Sequence, residues 1–94
     1  MSETTVTSSG NVFIDLGYSP EEAAILQMRA DLMADLRKLI RSRKLTQTKA
    51  AEILGISQSR VSDLTRGKWE RFSLEMLVIL ATRAGMHVTL KRAA

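Results

Sequence analysis

The stretch from Thr46 to Gly67, TQTKAAEILGISQSRVSDLTRG, constrains the fold more than any other part of the chain. Its punctuation predicts two short helices joined by a tight turn. Thr46 is a good N-cap for a first helix over Gln47–Leu54, because its hydroxyl can accept from a backbone N–H that the first turn leaves unpaired. Gly55 follows the last apolar residue and can take the positive φ that a helix C-terminus often needs. Ser57 then caps a second helix over Gln58–Arg66, and Gly67 can end it. Ile56 before that cap and Val61 four residues after it make a hydrophobic staple, which fixes the angle of entry. Ala50 and Ala51 are small enough for close helix approach. Ile53, Leu54, Ile56, Val61 and Leu64 are expected to form the seam.

A Gly between two short helices is common, and a plain helical hairpin is the simpler alternative. Here two cap signals and the small, turn and apolar positions all fall in the register of a helix-turn-helix (motif 46–67), whose second helix enters the DNA major groove. With Val61 and Leu64 inward, the helical period turns Ser59, Ser62, Asp63 and Arg66 outward, and Gln58 lies at the end that enters the groove. Gln can bind adenine through two hydrogen bonds, Ser can contact several bases, and Arg favours guanine O6 and N7. The candidate base contacts are Gln58, Ser59, Arg60, Ser62, Asp63 and Arg66. Arg60 stays open between a base, a phosphate and pairing with Asp63. Gln47 and Thr48, at the positive start of the first motif helix, suit phosphate oxygens. Arg43, Lys44, Lys49, Lys68 and Arg71 are further phosphate candidates, with plain solvated surface as the alternative for each. Trp69 either packs on the sugar-phosphate backbone or caps the small core.

Charge is distributed in the same sense. Residues 1–36 carry six acids (Glu3, Asp15, Glu21, Glu22, Asp31, Asp35) against Arg29, a balance of −5. Residues 37–71 carry ten bases against Glu52, Asp63 and Glu70, a balance of +7. A positive surface attracts the phosphate backbone and releases its counterions. The acidic leader would avoid DNA and could face a basic protein.

The flanks complete one domain over residues 12–94, behind a tail (1–11) whose first ten residues are polar, rich in Ser and Thr, and expected to be disordered. Val12, Ile14 and Leu16 alternate with Phe13 and Asp15, predicting a short strand or extended arm that Gly17 breaks. Ser19-Pro20-Glu21-Glu22 predicts a capped helix start with Pro at the first helical position. Ile25, Met28, Leu32, Leu36, Leu39 and Ile40 then form one apolar stripe, and the helix should run to about Ser42. Ser73 caps another helix, with Leu74, Leu77, Val78 and Ala81 facing the core and Gly85 ending it. His87–Lys91 alternates and predicts a strand. A lone strand cannot satisfy its own backbone, so it must pair with Val12–Leu16 or with a second subunit. The expected fold is mainly α: four helices in a repressor-like arrangement, with a short N-terminal arm and a C-terminal strand. The apolar Val88 and Leu90, with Val12 and Ile14, give edges that want a partner, and two half-sites one helical turn apart call for a homodimer.

Chemistry beyond binding has little support. The chain has no Cys and a single His87, which excludes disulfides, thiol nucleophiles and a Cys-based zinc site. Glu21 and Glu22 suit a helix start, and no Gly-rich phosphate loop is present. Neither an enzyme nor a cofactor is expected. No apolar run approaches membrane-spanning length, and the N-terminus lacks the basic and apolar regions of a signal peptide. A bacterial cytoplasmic, nucleoid-associated location is the expectation.

The order of these pieces resembles the Xre/Cro-type helix-turn-helix family. Within it the chain is similar to the small antitoxins of type II, host-inhibition-of-growth toxin–antitoxin pairs. NVFIDLG, PEEA, LRKLIRSRKLTQTKAAEILGISQSRVSDLTRG and RFSLEMLVIL carry the likeness, which runs from Val12 to about Leu90. The motif identifies only the superfamily, whereas the leader and the RFSLEML segment narrow it. Trp69 stands where that group more often has a smaller apolar residue. The resemblance implies an antitoxin that neutralises a small ribonuclease toxin and represses their shared operon. Toxin contact would then fall on Val12, Phe13, Ile14 and Leu16 and on the first helix near Glu21, Glu22, Asp31 and Asp35, unless Val12–Leu16 only completes the protein's own core. The alternatives are a stand-alone, phage-like regulator and a structural or RNA-associated adaptor.

Overall fold

The computed structural model describes residues 2–7 and 11–91, with residues 2–7 and 91 described by their backbone alone. The elements run β1 (Ser2–Thr7), α1 (Val12–Asp15), α2 (Pro20–Ser42), α3 (Gln47–Leu54), α4 (Gln58–Thr65), a 3-10 turn (Trp69–Arg71), α5 (Leu74–Arg83) and β2 (Met86–Lys91). The fold is mainly helical, with a helix-turn-helix at its centre and a short C-terminal strand.

The four expected caps all form. Ser19, Thr46, Ser57 and Ser73 hold extended backbone angles, and their hydroxyls accept from Glu22, Lys49, Arg60 and Met76 N–H at 3.1–3.2 Å. Each cap satisfies a donor that the first helical turn leaves free. Gly55 closes α3 at φ +68°, ψ +35°, and its N–H donates to Ala51 O. That left-handed geometry lets α4 leave α3 after only two further residues, and a β-carbon disfavours it.

α2 is the spine. Leu32, Met33, Leu36, Leu39 and Ile40 on its inner side pack with Ala50 and Leu54 of α3, Val61 and Leu64 of α4, and Leu77, Leu80 and Ala81 of α5. Phe72 is the largest fully buried side chain and closes this core after the 3-10 turn. The stripe read from sequence is shifted at its start. Ile25 is exposed, and Ala23 and Leu26 are buried instead. There α2 packs against α1 and not the motif helices, so its inward face rotates. In the seam, Leu54, Val61 and Leu64 are buried while Ile53 and Ile56 are half-buried.

Two expectations at the N-terminus are corrected. Val12–Asp15 is a helix, not a strand or arm. Asn11 explains it: its side-chain oxygen accepts from Phe13 N at 2.9 Å, and its amide nitrogen donates to Ala23 O. A capped turn anchored to α2 outcompetes an extended segment that has no ladder to join. The segment expected to be disordered supplies the strand instead. Ser2–Thr7 pairs in parallel with Met86–Lys91, Ser2 opposite Met86 and Thr7 opposite Lys91. Low apolar content argued for disorder, but Thr4-Thr5-Val6-Thr7 is rich in β-branched residues, and β2 offers backbone groups that need partners. Residues 1 and 8–10 of the expected tail, and 92–94 of the expected domain, lie outside the described residues.

Candidate nucleic-acid interface

The starts of α3 and α4 lie side by side. Gln58 Nε2 donates to Thr48 Oγ1 at 3.2 Å, joining the first turn of one helix to that of the other. Gln47, Thr48, Gln58 and Ser59 are all exposed around this junction. The cap hydroxyls of Thr46 and Ser57 each accept from one first-turn donor, Lys49 N and Arg60 N. Two positive helix starts, linked by this Gln58–Thr48 bond beside exposed amide and hydroxyl side chains, form a surface suited to phosphates and base edges.

Along α4 the candidates separate. Arg66 is exposed at its end, and Ser62 is half-buried, with its carbonyl accepting from Thr65 Oγ1. Arg60 turns away from this surface. Its guanidinium lies 4.3 Å from the Phe72 ring centroid and donates to Arg71 O at 3.1 Å. Asp63 is also engaged: its side chain is only 16% exposed and meets Arg71 Nη1 at 3.4 Å. The pairing of Asp63 is therefore with Arg71, not with Arg60. The structure brings Gln58, Ser59, Ser62 and Arg66 to the open side and binds Arg60 and Asp63 to the loop that follows.

The phosphate candidates divide similarly. Arg43, Lys44 and Lys49 are exposed and Lys68 is half-buried. Lys49 lies 3.6 Å from Glu52 in an exposed pair, the kind that adds little stability and leaves the ammonium available. Arg71 is 55% exposed but shares its charge with Asp63. Lys44 holds φ +52° in the turn from α2 to α3, an unusual conformation for a residue with a β-carbon. Trp69 caps the core: its ring meets Phe13 edge-on at 6.1 Å and carries the Arg29 guanidinium 5.3 Å from its centroid.

Three arginines outside the candidate site residues serve as struts. Arg83 of α5 donates to Leu54 O at the end of α3 (2.9 Å), and Arg37 of α2 donates to Thr65 O at the end of α4 (3.1 Å). Arg29 donates to Phe72 O and Trp69 O. Each satisfies carbonyls at a negative helix end or turn with a charged donor, which fixes the motif helices against the scaffold. The partners lie 28 to 43 residues apart in sequence, so no local pattern announces them.

Val12, Ile14 and Leu16 are exposed, whereas Phe13 turns inward against Tyr18 and Trp69. Val88 is half-buried and Leu90 exposed; both line a cleft of about 150 Å³ with Met28, Leu32, Leu74 and Val78. Asp31 accepts from Gln27 Nε2 at 3.0 Å. Burial pushes the Asp35 carboxyl above its ordinary value, and the Asp31 charge adds to this while Lys38 opposes it. Among the described residues no group of three or more His, Cys, Asp or Glu could hold a metal ion. Among the described residues no helix is long and apolar enough to cross a membrane.

A comparison with curated proteins returned no match. The sequence model of the helix-turn-helix domain family matches residues 12–91, from α1 to the end of β2. Domains of this family are non-catalytic DNA-binding modules, in line with a reading that assigns no catalytic residue. With the motif helices, their caps and the exposed junction all inside the matched span, the chain belongs to the helix-turn-helix domain family.

Proposed function

We propose that the protein is a sequence-specific transcriptional repressor that inserts α4 into the DNA major groove. One observation carries this reading: the bonded junction of Thr48 and Gln58 holds two helix starts and their exposed polar side chains on one surface. In this reading Gln58, Ser59, Ser62 and Arg66 read bases. Gln47 and Thr48 bind phosphate, with Arg43, Lys44, Lys49 and Lys68 on the flanks. Arg60, Asp63 and Arg71 set the position of α4 and the loop after it. A homodimer would place two such surfaces on a two-fold operator. The exposed apolar residues of α5 and β2, Ile79 and Leu90, support a self-association face there.

The finer role we infer is antitoxin of a type II pair, holding a small ribonuclease toxin inactive and repressing the shared operon. The charge distribution supports it: residues 1–36 balance at −5 and suit a cationic protein, whereas residues 37–71 balance at +7 and suit DNA. Competition gel shifts test the DNA reading. Gln58→Ala should cost specific binding about 1–3 kcal/mol and relax sequence choice. Unchanged operator preference would remove α4 from the recognition role. Co-expression with the product of the adjacent reading frame tests the finer role. A toxic product that this chain neutralises supports the antitoxin, and a non-toxic neighbour supports a stand-alone regulator.

A further inference from the structure

The apolar surface around α1 is built in a way its own fold does not require. Val12, Ile14, Leu16, Tyr18 and Ile25 are each 42–68% exposed, although they are large and lie close together in sequence or along one groove. α1 is nevertheless tied down from beneath. Asn11 caps it and bonds to Ala23 O, and Phe13 wedges between the rings of Tyr18 and Trp69. Four residues of helix are thus anchored by one amide and one aromatic ring while three aliphatic side chains are held outward. Beside them a shallow groove of about 210 Å³ is lined by Tyr18, Glu22, Ile25, Leu26 and Arg29. Clustered exposed apolar groups of this size on a supported element mark a contact surface.

The charges around it select the occupant. Asp15, Glu21 and Glu22 are exposed beside the patch, and among the described residues none of them is in an ion pair. The only base in residues 1–36, Arg29, is committed to the Trp69 ring and to the carbonyls of Trp69 and Phe72. DNA and anionic lipid are therefore repelled. A second copy docking through the same face would set Asp15, Glu21 and Glu22 against the same three acids of its partner. We infer that the α1 face, Val12, Ile14, Leu16, Tyr18 and Ile25 rimmed by Asp15, Glu21 and Glu22, is the docking surface for a cationic protein that inserts apolar side chains beside α1. The identity of that protein as a toxin rests on the antitoxin reading; the surface and its charge preference do not.

A photo-crosslinking residue at Leu16 of the full chain, expressed in its own host, tests this. The expected product is one adduct whose partner is a basic protein. That partner, purified, should bind the intact chain. Ile14→Ser with Leu16→Ser should weaken binding tenfold or more, with the melting temperature and DNA binding unchanged. Glu21→Lys with Glu22→Lys should weaken it too and flatten its salt dependence. No adduct, an adduct with a second copy or an acidic protein, or a basic partner indifferent to both double variants would overturn the proposal. A toxin that is still neutralised by the Ile14→Ser, Leu16→Ser variant would leave the antitoxin reading standing without this surface. A basic partner that is not a toxin would leave the surface standing without the antitoxin role.

Discussion

Replacing Gly55 by Ala tests whether the turn of the motif is held by the scaffold or only by its own backbone. Two costs are separable. Ala at φ +68° gives up about 1–2 kcal/mol of backbone energy in the left-handed region. Its β-carbon would also stand 3.1 Å from Arg83 Nη1, the atom that donates to Leu54 O. The guanidinium must yield by a few tenths of an ångström, which weakens a hydrogen bond with a net value of roughly 1 kcal/mol. The sum is about 2–3 kcal/mol, a fall in Tm of roughly 10–20 °C for a domain of this size. In an Arg83→Ala background the second cost disappears, so Gly55→Ala should then cost only about 1–2 kcal/mol. Urea denaturation of the four proteins gives the coupling directly, expected near 1 kcal/mol. Gly67→Ala should couple in the same way to Arg37, whose Nη1 stands 3.1 Å from the added β-carbon, but not to Arg83. If Gly55→Ala costs the same with and without Arg83, the arginine is not a strut for this turn.

Asp63→Asn should free Arg71 and raise non-specific DNA affinity, steepening the log–log salt dependence by about one phosphate contact; a filter-binding salt series that does not move would show that Arg71 never reaches the backbone. Phe72→Ala should destabilise by roughly 3–5 kcal/mol, since the ring is fully buried and also carries the Arg60 guanidinium. Loss below about 1 kcal/mol in urea melts would mean that the core closes without it. Asp35→Asn should stabilise the protein at neutral pH. The carboxyl is raised in the fold by burial and by Asp31, so the folded state holds its proton to higher pH than the unfolded chain, and stability falls as pH rises through that window. The gain from the amide should shrink as the pH is lowered through the carboxylate range, and thermal melts showing a pH-independent gain would count against this cause.

Much of the motif was legible in the chain because it is set by neighbours in sequence. A cap hydroxyl reaches a donor three residues on, a glycine supplies its own φ, and a helical period fixes which side of α4 faces inward. Thr46, Gly55, Ser57 and Ser73 were therefore readable one at a time, and so were the spans of α2, α3 and α5 to within a residue or so. Val12–Leu16 was not, because four apolar residues in five fit either period, and the decision belonged to Asn11 bonding to α2 and Phe13 meeting Trp69. Ser2–Thr7 was not, because a strand is stable only when another chain segment supplies its ladder, and that segment lies more than eighty residues away. Side-chain roles divided on the same line. The sequence determined that Gln58 and Ser59 open the second motif helix, α4, and that the motif is basic. Only the tertiary structure decided which cations are engaged inside the fold, because Arg29, Arg37, Arg60 and Arg83 are drawn to carbonyls and rings that the fold brings within reach of their long side chains.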